Sequence, residues 1–190
     1  MYRTAVVTVF LAALAIMAID FAIRIVRRRK VEPAPENQGA IRYLRILVNV
    51  AGLITLLAVA YTGFTAVFDD NQVMTGDRLI WHVTCAPAFA LAAVAVTIFW
   101  AHRNRFDGTG ASHLSGSGWG VALRKFFFWC AVAAAIPTLL SILAAMFPIF
   151  GTDDQQELVR IHRYCAPLLA SAGLLFAYFA LVTWRERSSD

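Results

Sequence analysis

Charge is what this sequence has least of. Only 15% of its 190 residues are Asp, Glu, Lys or Arg, and 59% are hydrophobic, whereas an average soluble domain carries about 25% charged residues. That scarcity argues against a water-soluble domain. Short alternating strand patterns, the mark of a membrane barrel, are missing as well. The three cysteines, Cys85, Cys130 and Cys165, all fall inside apolar stretches and suggest small core residues instead of a disulfide framework. A nucleophile–base set, zinc-ligand spacing and a phosphate-binding glycine loop are also lacking, so independent catalysis is not expected.

What the chain does have is long apolar blocks, at roughly 4–23, 46–68, 79–101, 121–150 and 157–184. A bilayer span needs about 20 apolar residues, and only helices or closed barrels satisfy every backbone polar group in lipid. The expectation is an all-α membrane protein with five transmembrane helices. Residues 1–26 form an N-terminal anchor helix. Its basic run follows the apolar stretch instead of preceding it, which marks a retained anchor and not a cleaved signal. Residues 27–40, with Pro33, Pro35 and Gly39, form a linker, and residues 41–187 a four-helix domain. The Gly/Ser-rich stretch 103–120 is expected to be a flexible loop.

The net charge of +5 is mostly topological, and no nucleic-acid partner is expected. Arg24, Arg27, Arg28, Arg29, Lys30, Arg42 and Arg45 flank the linker. Arg103, Arg105, Arg124 and Lys125 lie between the third and fourth blocks, and Arg185 and Arg187 in the tail. Only Arg3, Arg78, Arg160 and Arg163 fall on the other side, a split of 13 against 4. Basic residues in short loops stay cytoplasmic, so the N-terminus is expected outside and the C-terminus in the cytoplasm.

The chain contains an internal repeat. Residues 82–87 and 162–167 both read H-x-x-C-A-P. Upstream stand Asp69-Asp70-Asn71-Gln72 and Asp153-Asp154-Gln155-Gln156, expected in external loops, and the helices end in Trp100 and Trp184. Segments 41–105 and 121–187 thus look like two tandem helix pairs running in the same direction, with an axis along the membrane normal.

Ionisable residues inside a membrane are functional candidates by default. A repeat axis would bring His82 and His162 face to face at equal depth, an axial-ligand pair for one haem, and bis-imidazole ligation suits iron to electron transfer. Cys85 and Ala86, and likewise Cys165 and Ala166, lie three and four residues after each histidine, hence on its face, and their small size leaves room for a flat macrocycle. Pro87 and Pro167 free the carbonyls four residues back, Val83 and Arg163. Arg78, Arg160 and Arg163 are placed to meet haem propionates, since Arg suits carboxylate pairing. His102 and His113 have no symmetric partner, so one haem is expected. Phe126, Phe127, Phe128 and Trp129 are expected to face lipid near the interface.

Arg42-Tyr43-Leu44-Arg45, Thr62-Gly63-Phe64 and the His162-Arg163-Tyr164 opening make residues 41–187 resemble the b-type cytochrome membrane subunits of hydrogenases, formate dehydrogenases and related respiratory enzymes. The resemblance implies haem b and electron exchange between quinone or quinol and a partner on the outer, periplasmic face of a bacterial inner membrane. Such subunits usually hold two haems. Here Asn49 stands in the second helix where the pattern has a histidine, which favours a single haem near the outer surface. Asp69, Asp70, Asp77, Asp153, Asp154 and Glu157 are ordinary for external loops; beside a haem they would also steer a basic carrier such as a c-type cytochrome. Two other readings compete: a tandem-repeat transporter using the same histidines for protons or metal ions, and a haem-free membrane anchor.

Overall fold

Backbone polar groups in hydrocarbon must be paired within their own segment, and the long apolar stretches of the described residues answer with helices. The computed structural model describes residues 2–26, 39–68, 74–106 and 118–187, the side chains at 25–26, 40–42, 118 and 184–187 excepted. Five α-helices run in order: α1 (Tyr2–Val26), α2 (Ala40–Phe68), α3 (Gly76–Ala101), α4 (Gly118–Ala145) and α5 (Thr152–Arg187), with a 3-10 turn at His102–Asn104. No strand occurs among the described residues. All five helices are long and apolar enough to cross a membrane, which makes the chain a multi-pass membrane protein by length and composition. Large apolar side chains such as Leu91 and Ile98 are mostly exposed; a surface of this kind belongs in lipid.

Helix boundaries follow local chemistry. Gly76 opens α3 with φ of 60°, a left-handed conformation that glycine reaches without a Cβ penalty. The fourth apolar block was expected to continue to 150, but α4 stops at Ala145 and residues 146–150 turn. Pro148 lacks an N–H and disfavours helical geometry in the residue before it. Asp153 to Gln156 are not loop residues as expected. They lie in the first turns of α5, where the acids complement the positive end of the helix dipole. Linker residues 27–38, Asp69 to Gln72 and His113 lie outside the described residues.

Packing is uneven. α4 lies along α5 and α2 along α3, with a lighter α2–α5 contact and few contacts between α3 and α4. α1 packs on α5 and also reaches α2, where the rings of Phe10 and Phe64 meet edge to face with centroids 4.5 Å apart. One core cluster draws on all five helices, around Leu56, Phe89, Leu169 and Ala170, with Phe10 and Ala134 packed against it. Gly173 lets α5 approach α2 closely: a Cβ there would stand 2.8 Å from Leu56 Cδ2. Small residues at such contacts are how membrane helices gain packing when apolar burial offers no advantage over lipid.

Two expectations about the region after α3 need correction. Phe128 is buried and Phe127 half-buried, stacked on Phe179, so only part of the aromatic run is exposed. Arg124 is not a loop residue. It lies in α4 with 4% of its surface exposed, and its guanidinium donates to Asn104 Oδ1 and Thr183 Oγ1, both at 3.2 Å. Asn104, at the start of the expected flexible loop, is fully buried; it donates to the Trp100 carbonyl and its own carbonyl accepts from Trp129 Nε1. A buried polar side chain must find partners, and these bonds fix the start of the connection onto α4.

Candidate functional site

The two repeated histidines meet. His82 comes from α3 and His162 from α5, and their ring centroids are 6.4 Å apart with the planes at 89°. Both rings are half-buried. The meeting joins the two helix pairs although α3 and α5 share few backbone contacts.

The hydrogen bonds around each ring bear on its tautomer. His162 Nδ1 is 2.9 Å from the Thr138 carbonyl oxygen. A carbonyl only accepts, so Nδ1 carries the proton and donates. His82 Nδ1 is 2.9 Å from Thr62 Oγ1. That hydroxyl has one proton, and it lies 2.9 Å from the Ala58 carbonyl and 3.1 Å from the Val59 carbonyl. With its proton directed to the backbone, the hydroxyl accepts from His82 Nδ1. His162 is therefore the Nδ1–H form with its lone pair on Nε2, and the same form fits His82, whose ring meets both the Thr62 hydroxyl and the Val59 backbone. A metal-ligating histidine has this state, with the other nitrogen donating to a carbonyl or similar acceptor.

The spacing suits a shared central atom. Two imidazoles bound to one metal at about 2 Å through nitrogen place their ring centroids roughly 6 Å apart. Gly63 lies beside the His82 ring, where a Cβ would come 3.6 Å from Cε1; without one, space is left against the imidazole. Among the described residues no group of three or more His, Cys, Asp and Glu gathers as a metal site. Two axial imidazoles are the complement a haem takes, since its macrocycle supplies the remaining ligands. The two imidazoles are thus placed to share one bound centre.

The other expected site residues are distributed around this pair. Cys85, Ala86, Cys165 and Ala166 are half-buried on α3 and α5, one turn beyond each histidine. Arg78 is exposed in the first turn of α3. Arg160 pairs with Glu157 at 3.0 Å, both well exposed. Arg163 lies over the Tyr2 ring, 4.9 Å from its centroid. Arg160 and Arg163 line an open groove at this end with Tyr2, Gln156 and Tyr164. Tyr2 Oη–H donates to the Arg163 carbonyl at 2.8 Å, the carbonyl that Pro167 releases from the helix ladder.

The sequence reading missed Thr62 and the Thr138 carbonyl as partners of the histidines. Thr62 was visible only as part of a family-like tripeptide, and a backbone carbonyl leaves no mark in a sequence.

Comparison of the chain with protein-family models, with curated proteins and with solved structures finds no match in any of the three.

Proposed function

We propose that this protein is a membrane-bound b-type cytochrome subunit that holds one haem b between His82 and His162 and passes electrons between the quinone pool and a partner on the outer face. The observation that carries this reading is the pair of facing imidazoles, each with Nδ1 engaged by a neighbouring helix. The haem, when bound, supplies one-electron chemistry; the protein's part is binding, orientation and tuning. His82 and His162 would hold the haem iron. Cys85, Ala86, Cys165, Ala166 and Gly63 keep the neighbourhood small. Arg78, Arg160 and Arg163 place positive charge at the same end, suited to propionates.

On this reading residues 41–187 form a four-helix bundle of two tandem pairs, with α1 as the added N-terminal helix. The histidine end faces the periplasm of a bacterial inner membrane, and the C-terminus lies in the cytoplasm, as the basic residues direct. Asp77, Asp153, Asp154 and Glu157, all exposed at the histidine end, favour a basic redox partner such as a c-type cytochrome. Quinone or quinol reaches the haem from the outer leaflet.

The test is a dithionite-reduced minus oxidised visible spectrum of the detergent-purified protein, with haem quantified per chain. The expected result is a low-spin b-type spectrum at one haem per chain, lost in both His82→Ala and His162→Ala. A folded preparation from haem-replete cells that carries no haem rules the reading out and turns attention to proton or metal-ion transport by the same two histidines.

A further inference from the structure

The repeat makes the two histidines equivalent by sequence, but their surroundings are not. The histidines are 80 residues apart, and at that offset Ala58 stands opposite Thr138 and Ile142 opposite Thr62. In the second copy the imidazole reaches the Thr138 carbonyl directly. In the first copy the Thr62 hydroxyl bonds the Ala58 carbonyl and stands between that backbone and His82 Nδ1. One ring is thus held by a backbone carbonyl alone, the other by the Thr62 hydroxyl together with the Val59 backbone. The second anchor lies a different distance from the backbone and approaches from a different helix. With these unlike anchors the two rings are crossed at 89°.

We propose that the Thr62 hydroxyl is a positioning residue for His82, one that sets the imidazole crosswise to that of His162 and presents Nε2 as the ligand atom. This rests on the reading of the site as a bis-histidine haem site. Two consequences follow from ligand chemistry. Crossed axial planes leave two iron d orbitals close in energy, so the ferric form gives one strongly anisotropic low-field line in electron paramagnetic resonance; parallel planes give a rhombic three-line spectrum. A hydrogen bond from Nδ1–H makes the imidazole a stronger donor, which favours ferric iron and lowers the midpoint potential.

The experiment compares wild type, Thr62→Val and Thr62→Ser as full-length, haem-loaded proteins in detergent. The expected wild-type spectrum is the single low-field line. Thr62→Val keeps the side-chain shape and removes the acceptor; it is expected to shift that line towards a rhombic signal, raise the midpoint potential and weaken haem binding roughly 10–100-fold. Thr62→Ser is expected to restore all three. A rhombic wild-type signal overturns the proposal before any variant is made. A Thr62→Val protein with the wild-type line, potential and haem affinity overturns it while the haem reading stands. A folded wild type that takes up no haem overturns both. Should Thr62→Val fail to fold, Thr62→Ala gives the same readouts, and the wild-type spectrum stays decisive for ring geometry.

Discussion

Arg124 carries its charge in a setting where charge is costly: 4% exposed, in a helix long and apolar enough to span a membrane. Charged side chains in such places are kept by the bonds they make. Its guanidinium donates in two directions, to Asn104 and to Thr183, and so joins the end of α3, α4 and α5. Arg124→Leu leaves the buried Asn104 Oδ1 without that donor, a cost of about 1–3 kcal/mol. Arg124→Lys offers a point charge where a fork is needed and recovers only part of it. Thermal unfolding in detergent is expected to rank wild type above Lys and Lys above Leu; a Leu variant as stable as wild type would show that these bonds do not hold the helix ends together. The same scale shows what a sequence conceals. His82 and His162 were legible because ionisable residues in apolar helices are rare and the repeat pairs them. Thr62 was not, because a threonine in a membrane helix ordinarily bonds its own preceding turn, as Thr55, Thr97 and Thr138 do here, and nothing in the sequence marks the one whose oxygen also serves another helix. Arg124 was read as a topological charge because position alone cannot separate an arginine at the interface from one turned inward.

At the scale of the element, α1 has more contacts than an anchor needs. At one end Tyr2 donates to the Arg163 carbonyl and its ring meets Tyr164 edge to face. Near the other end Asp20 accepts from Arg24 of its own helix and from Tyr178 of α5, at 2.9 Å for the tyrosine. Between them Ala13 packs with Leu175 and Phe179. Tyr2→Phe and Tyr178→Phe each remove a hydroxyl that hydrogen-bonds its surroundings, each such bond being worth about 0.5–1.5 kcal/mol net. The two sites lie at opposite ends of α1 and share no partner, so their losses should add within about 0.5 kcal/mol. Unfolding of both single variants and the double variant in detergent measures this; a double variant no weaker than either single would mean that α1 docks as one unit whose ends do not act separately. The existence and type of all five helices could be read in advance because a bilayer dictates length and apolarity. How α1 packs could not, because lipid and helix surfaces are equally apolar and leave no contrast for a pattern to show. The sequence therefore placed α1 as peripheral, and its partners emerged only from the structure.

The whole molecule is polar in the directional sense. Arg24, Arg45, Arg103, Arg105 and Lys125 gather at the end opposite the histidines, while Asp77, Asp153, Asp154 and Glu157 occupy the histidine end beside Arg3, Arg78, Arg160 and Arg163. The two helix pairs repeat in one direction, so both histidines fall near the same end, and the proposed electron path stays in one leaflet. Everything about the partner then depends on which side that end faces. On the proposed reading it faces outside, because basic loops stay cytoplasmic, and single introduced cysteines can test this in intact cells, with the three native cysteines, all within helices long and apolar enough to span a membrane, as the background. Gly151→Cys lies exposed in the turn before α5 at the histidine end, and Ser115→Cys falls in the segment joining α3 to α4 at the other. A membrane-impermeant maleimide is expected to label position 151 in intact cells and position 115 only after permeabilisation. The reverse pattern would put the histidine pair next to the cytoplasm and exclude a periplasmic c-type cytochrome as its partner. Labelling of both positions in intact cells would mean that the charge asymmetry does not fix a single orientation, and a one-sided electron path would then have no defined side.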